Sequence, residues 1–385
     1  MKKKKICVVI TARPSYSRIR TALKAIQNHE ALELQLVVAA SALLDRYGST
    51  VNYIEEDGFI IAEKVYMIIE GATLTSSAKT TGIGIMELST AFDNLKPDMV
   101  CTIGDRFETM ATAIAASYMN IPLVHIQGGE VTGNIDEKVR HAISKLADLH
   151  LVSNDDAKQR LIKMGEFDDK IFITGCPSID IAKQVKDNPA LDFDPCEKYG
   201  GVGNYIDPNE PYLVVMQHPV TTEFSEAKQQ AETIIQVLSE INMPTFWFWP
   251  NPDAGSDGTS NALRSFREDN RDNKFRFFKN MEGGDFLKLL LNSKCLIGNS
   301  SVGIRECSYL GVPVVNIGSR QNKRLRGANV IDTNYDLQNL KNCIQAQLET
   351  KGYLSENIYG DGNSAKQIAD VIAASNPSIK KVISY

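Results

Sequence analysis

The sequence predicts an α/β protein made of two doubly wound domains, and three observations carry that expectation. Short apolar runs alternate with helical periodicity from end to end, and the rhythm lapses once, over Asp187–Pro211. A chain of 385 residues also exceeds what one hydrophobic core usually serves.

Continuous β-rich runs with helices between them describe parallel strands covered on both faces. In the first half these runs are Ile6–Thr11, Leu34–Ala40, Met99–Ile103, Leu123–Gln127, Leu149–Ser153 and Ile171–Thr174. Helical spacing falls over Tyr16–Gln27, Met86–Leu95, Glu108–Tyr118, Glu137–Leu146 and Asp156–Met164. Asp187–Pro211 holds four prolines and three glycines without sustained periodicity, so it reads as a linker. The second series has strands at Tyr212–Gln217, Thr245–Trp249, Phe275–Phe278, Cys295–Ile297 and Val312–Asn316. Its helices fall over Ser225–Glu240, Thr259–Asp269, Asp285–Asn292, Val302–Leu310 and Leu337–Leu348, and Ser364–Ala374 reads as a terminal helix. The expected domains are therefore 1–186 and 212–363, joined by a linker at 187–211 and followed by a helix and tail at 364–385.

A net charge of −5 gives no basic field for nucleic acid, and no apolar stretch approaches the ~18–20 residues of a membrane span. The Lys2–Lys5 run ahead of Ile6–Thr11 reads as the solvated start of a first strand rather than a signal peptide. Seven scattered cysteines without C-x-x-C fit a reduced, cytoplasmic setting. The five histidines show no metal-ligand spacing, so no metal is expected.

In open α/β sheets ligands bind beyond the carboxyl ends of the strands, and two such domains facing each other would form a cleft at that rim. Residues just after strands therefore matter most. The run Ile297-Gly298-Asn299-Ser300-Ser301 breaks an apolar strand into a small polar turn ahead of a helix, which suits either an anion on free backbone N–H groups or a simple Ser-capped corner. Glu306 follows Ser300 by six residues, about 9 Å along a helix, which would bring a carboxylate near the ribose of a nucleotide diphosphate. Thr11–Ser17 is no G-x-G-x-x-G fingerprint; its Arg13 suits a phosphate, or is a surface residue beside a helix cap. Gly104-Asp105-Arg106 puts a carboxylate at a strand end, where Asp105 serves chemistry or caps a helix. His125–His141 is the densest polar segment, and Glu130, Asp136 and Glu137 suit acid/base work or a helix first turn; His141 reads as an ordinary helix residue. Gln217-His218-Pro219 offers a histidine as acid, base or phosphate donor, or as a satisfied structural group. Asn251 and Asp253 follow Trp249, Arg320 follows Gly318, and Trp247 and Trp249 read as packing residues.

These same segments resemble the UDP-N-acetylglucosamine 2-epimerases, from about Lys5 to Asn363. Gly104–Phe107, His125–Glu130, Ile135–His141, Gln217–Thr222, Gly298–Ser301 and Gly318–Arg320 carry the likeness. It is nearest to the hydrolysing branch that opens sialic-acid-type sugar biosynthesis, including the epimerase half of the bifunctional animal enzyme. The resemblance implies two Rossmann-like domains facing a central cleft, the glycosyltransferase-B-type fold, with a UDP-sugar substrate and neither metal nor nicotinamide cofactor. By motif position Arg13, His218, Ser300 and Ser301 would contact the diphosphate, with Glu306 on the ribose. Asp105, Arg106, Asp136, Asn251 and Asp253 would lie near the sugar, and Ser17, Gln127 and Arg320 join the substrate-binding set. Asp105, with Asp136 or Glu130, is expected to handle protons, and His218 is counted with the catalytic groups. Many family members carry a glutamate where this chain has Gln127, and an amide cannot exchange a proton at neutral pH. The implied reaction releases free N-acetylmannosamine and UDP. Its rivals are the same reaction on a 2,4-diacetamido-2,4,6-trideoxy analogue, a non-hydrolysing epimerase, a glycosyltransferase and a UDP-sugar sensor. A homo-oligomer, dimer or tetramer, is implied as well.

Overall fold

The computed structural model describes residues 2–45, 48–69, 73–131, 135–220, 222–250 and 255–385, except the side chains of residues 74, 135 and 136. The chain forms two compact units. The first holds residues up to Val131, Ile135–Asp180 and Tyr359–Tyr385; the second holds Ile181–Ile358.

The first unit has strands β1 (Lys4–Ile10), β2 (Leu32–Ala39), β3 (Ile61–Val65), β4 (Met99–Ile103), β5 (Leu123–Ile126), β6 (Leu149–Val152) and β7 (Ile171–Ile173). They lie in the order β3-β2-β1-β4-β5-β6-β7, all pairs parallel. Its helices are α1 (Arg13–Asn28), α2 (Thr50–Glu56), α3 (Leu74–Leu95), α4 (Phe107–Tyr118), α5 (Ile135–Leu146) and α6 (Asp155–Lys163). Helix α7 (Pro177–Asp187) begins here and crosses into the second unit. Successive side chains of a strand point to opposite faces, and β1 shows why both faces are covered. Ile6, Val8 and Ile10 pack with Ile19, Leu23 and Ile26 of α1, while Cys7 and Val9 pack with Leu88 and Phe92 of α3 and Ala111 and Ala115 of α4.

The second unit comprises α8 (Pro195–Tyr199), β8 (Val202–Gly203), β9 (Leu213–Met216), α9 (Ala227–Ile241), β10 (Thr245–Phe248), α10 (Ser256–Asp269), β11 (Phe275–Phe278) and α11 (Gly283–Leu291). It continues through β12 (Cys295–Gly298), α12 (Ser301–Ile304), α13 (Glu306–Leu310), β13 (Val314–Ile317), β14 (Val330–Thr333) and α14 (Leu337–Glu349). Strand order is β14-β13-β12-β9-β10-β11-β8, parallel except for β8 against β11. One face packs Val215, Trp247, Phe277 and Ile297 against Ile234 and Leu238 of α9 and Leu340 and Ile344 of α14. Trp247 is fully buried in this core and Trp249 lies against Phe277, so both tryptophans pack as expected.

Three differences from the sequence reading have physical causes. The segment 187–211 is more than a linker, because α8 and the edge strand β8 fold onto the second unit, with Gly203 opposite Arg276. The closing helix α15 (Ser364–Ala374) returns to the first unit, where Ile368 and Ile372 fill the core beside α1. Asp180 caps its start, accepting from Ser364 N–H at 2.9 Å and Ala365 N–H at 2.7 Å. Lys4, expected merely to be solvated, caps its end by donating to the carbonyls of Ile372, Ala373 and Ser375 at 3.1, 3.0 and 2.6 Å. Thirdly, the expected helix Val302–Leu310 is broken at Arg305 into two short pieces, α12 and α13.

Two stability measurements follow. Asp180→Ala leaves the first turn of α15 uncapped and is expected to cost about 1–2 kcal/mol, read as a lower urea midpoint; an unchanged midpoint contradicts the cap. His125 and His218 are buried, and desolvation lowers each pKa from 6.5 to about 3. The unfolded chain binds protons on these rings below about 6.5 and the folded chain does not. Stability should therefore be fully present above that pH and fall below it, by about 2 kcal/mol per ring at pH 5. Unfolding titrations between pH 5 and 8 that show no such decline would refute neutral burial.

Candidate functional site

Each sheet has a topological switch point, where the strand order reverses and a crevice opens beyond the carboxyl ends. In the first unit it lies between β1 and β4; in the second, between β9 and β12. The loops after these four strands carry Arg13, Asp105, His218 and Ser300.

In the first unit Arg13 opens α1, half-buried, with its guanidinium 4.9 Å over the Tyr53 ring. Ser17 is exposed one turn on. After β4, Gly104 turns with φ 77°, and Arg106 is the N-cap residue of α4. Arg106 folds back on its own helix, donating through Nε and a terminal nitrogen to both oxygens of buried Glu108 at 3.2 Å. Asp105 pairs instead with Arg140 of α5. The Arg140 side chain is 1% exposed, and its other terminal nitrogen lies 3.7 Å from Glu130. Glu130 also accepts from Ser153 Oγ at 2.6 Å. One buried cation thus holds two carboxylates, which fixes where Asp105 sits. Glu130 is turned inward onto these partners, whereas Asp105 is partly open.

Gln127 follows β5 in a left-handed conformation, φ 63°, which a non-glycine residue adopts at some cost. Its carbonyl oxygen accepts from Arg18 at 3.4 Å and its amide donates to Cys176 Sγ at 2.7 Å. The amide therefore accepts from a guanidinium and donates to a sulfur, and a carboxylate at this position has no N–H for the second bond. His141 is half-buried, 3.6 Å from Glu137, and burial first among the causes lowers its pKa. Asp136 lies in the first turn of α5, but its side chain falls outside the described residues.

In the second unit Asn299 organises the rim. It accepts from the His218 backbone N–H at 2.8 Å and donates to the His218 carbonyl at 2.7 Å. Its own carbonyl accepts from Arg320 at 3.2 Å and Gln321 at 2.9 Å. The loops after β9, β12 and β13 are thereby tied at one residue, the first through the Asn299 side chain and the last through its main-chain carbonyl. Gly298 before it has φ 131°, and a Cβ there would stand 2.2 Å from the Met216 carbonyl oxygen, so only glycine lets the two loops approach. His218 is buried and neutral, its pKa lowered by desolvation and then by Arg320. Ser300 caps α12 by accepting from Val302 N–H at 3.5 Å. Because α12 spans Ser301–Ile304 alone, its dipole is small, and anion affinity here must rest on loop N–H groups and hydroxyls. The break at Arg305 also voids the helical rise used to place Glu306. Glu306 Oε2 is buried with no hydrogen-bond partner among the described residues. Asn251 and Asp253 lie outside the described residues.

Arg18, Arg140 and Asn299 were not singled out by the sequence reading. Arg140 left a signal: it lies one turn before the core residue Ile143 on α5, where a charge demands a buried partner. Among the described residues, no three His, Cys, Asp or Glu side chains are grouped to hold a metal ion.

The family described as UDP-N-acetylglucosamine 2-epimerase matches residues 24–373. The chain is 35% identical to a UDP-N,N'-diacetylbacillosamine 2-epimerase (hydrolyzing) of Legionella pneumophila, over 94% of each chain. It is 31% identical to a UDP-N-acetylglucosamine 2-epimerase of Neisseria meningitidis, over 96% of this chain and 95% of the relative. Among solved structures, the Neisseria meningitidis UDP-GlcNAc 2-epimerase bound to UDP-GlcNAc superposes with a TM-score of 0.80 at 20% identity, covering 96% of this chain and all (100%) of that one. That likeness agrees with the expected fold class, two Rossmann-like units of the glycosyltransferase-B type. With the family match spanning residues 24–373 and relatives at 35% and 31% identity over most of their length, this chain belongs to the UDP-N-acetylglucosamine 2-epimerase family.

Proposed function

We propose that the chain is a hydrolysing UDP-N-acetylglucosamine 2-epimerase, converting UDP-N-acetylglucosamine and water into N-acetylmannosamine and UDP. The observation that carries this reading is the Asp105 carboxyl group, held on buried Arg140 at the switch point of the first unit. In the reaction the C1–O bond breaks with its electrons leaving on UDP, a carboxylate takes the C2 proton, and a C1–C2 double bond forms. Water then adds its oxygen to C1, and a proton is delivered to C2 from the opposite face, inverting that centre. C2–H is a weak acid, so stabilising charge on the departing diphosphate has most effect. That work is assigned to Arg13, Arg320, neutral His218 as a donor, and the Ser300–Ser301 loop. Glu306 takes a ribose hydroxyl, which would satisfy its orphaned oxygen. Asp105 and Asp136 handle the protons; Glu130, engaged by Ser153 and Arg140, holds the pair in place. Ser17, Arg106, Gln127, Asn251 and Asp253 complete the sugar's surroundings. No metal or nicotinamide cofactor is invoked, the enzyme acts in the cytoplasm, and it works as a homo-oligomer.

A second reading keeps the chemistry and changes the sugar to UDP-N,N'-diacetylbacillosamine, the 2,4-diacetamido-2,4,6-trideoxy analogue. The Legionella pneumophila relative, named for that substrate, favours it. Substituents at C4 and C6 are read by a few pocket contacts, so one fold serves either.

Incubation with each UDP-sugar alone, followed by NMR of the products, decides between them. Free N-acetylmannosamine and UDP from UDP-N-acetylglucosamine are expected. A product still bound to UDP would overturn the hydrolysing assignment, and no turnover without an added acceptor would indicate a transferase. Asp105→Asn should lower turnover by about 10²–10⁴-fold while UDP affinity stays unchanged. Full activity in that variant removes Asp105 from the mechanism.

A further inference from the structure

His125 is wholly buried in β5, one residue short of the strand's end. Its Nε2 lies 2.9 Å from the Gly104 carbonyl and its Nδ1 3.0 Å from Ser144 Oγ of α5. A carbonyl only accepts, so Nε2 carries the proton and Nδ1 accepts from the Ser144 hydroxyl. The N–H of Gly104 donates to the Ile126 carbonyl at 3.1 Å. Both polar groups of Gly104 are therefore fixed by β5, and the next residue is Asp105. The neighbouring segment makes room for this contact. A Cβ on Gly128 would come within 2.8 Å of both His125 Nδ1 and Ser144 Oγ, which leaves the His125–Ser144 bond intact only with glycine there.

The ring is suited to hold and not to exchange. His150 stands beside it on β6, Arg140 and Asp105 bear on it, and desolvation leads the causes that bring its pKa to about 3. At neutral pH it is a neutral donor with a fixed tautomer.

We infer that His125 is a positioning residue: through the Gly104 carbonyl it fixes the turn that aims Asp105, and it takes no proton from substrate. The inference rests on the role given to Asp105 above. Together, His125 orients the backbone of the turn while Arg140 orients the carboxylate, and α5 supplies both Arg140 and the Ser144 that sets the ring.

The test compares His125→Gln, which keeps an N–H for the Gly104 carbonyl but cannot take up a proton, with His125→Leu and Ser144→Ala. His125→Gln should retain kcat within about threefold, and His125→Leu should lose about 100-fold in kcat with KM and UDP affinity unchanged, the scale of a misplaced catalytic group. Ser144→Ala should fall between them, and the pH–rate profile of His125→Gln should superimpose on that of the unaltered chain. Loss of one limb of that profile, equal inactivity of both His125 variants, or full activity of His125→Leu would each overturn the inference. On the unaltered chain, ¹⁵N NMR should find His125 neutral and protonated at Nε2 from about pH 5 to 8; the Nδ1–H form would refute it. This readout needs no turnover, so it stands apart from the assigned reaction: a chain that fails to act on UDP-sugars but shows this tautomer refutes the function and keeps the geometry.

Discussion

The buried guanidinium of Arg140 is the constraint on which the first unit's site depends. A cation this deep has lost its water and must be matched by charge and hydrogen bonds. Asp105 and Glu130 provide the match, and they come from turns after two adjacent strands, β4 and β5. The pairing therefore ties two loops to one helix. Removing Arg140 would leave both acids without the cation that holds them, whereas removing one acid leaves the other still paired with it. Of the two acids, Asp105 alone keeps part of its surface open, and it lies beside the switch point.

The second unit solves the same positioning problem without a buried ion pair at its centre, through an asparagine. Asn299 joins three loops, its side chain bonding the His218 backbone and its main-chain carbonyl accepting from Arg320 and Gln321, and Gly298 lets the backbones come close enough for that to happen. An uncharged side chain at position 299 leaves the positive field of Arg320 for the anionic ligand proposed above. An acid at position 299 would draw Arg320 to itself and weaken that field.

Much of the architecture was legible because buried parallel strands are continuous apolar runs. The strands that escaped, β3, β8 and β14, are edge strands whose residues alternate in exposure or stay half-covered, so their pattern resembles polar connections. The first turns of α3 escaped because Thr, Ser and Gly dominate them; a Thr73–Ser76 capping box, with bonds of 2.9 and 3.1 Å, starts the helix instead. Asp105, His218 and Ser300 could be picked out as candidates because they follow strand ends, where open α/β sheets bind ligands. The partners that hold them could not. Arg140 and Asn299 act through contacts between segments far apart in sequence, and only the fold brings those segments together. His125 was visible as a strand residue, but its task depends on a carbonyl 21 residues away.

The central claim is that a carboxylate of this chain removes the C2 proton as UDP departs. It is tested most directly with UDP-N-acetylglucosamine deuterated at C2, by following the label and UDP release together. The account requires deuterium to appear in solvent in step with UDP, leaving N-acetylmannosamine with a solvent hydrogen at C2. Release of UDP with the deuterium still on C2 would contradict it.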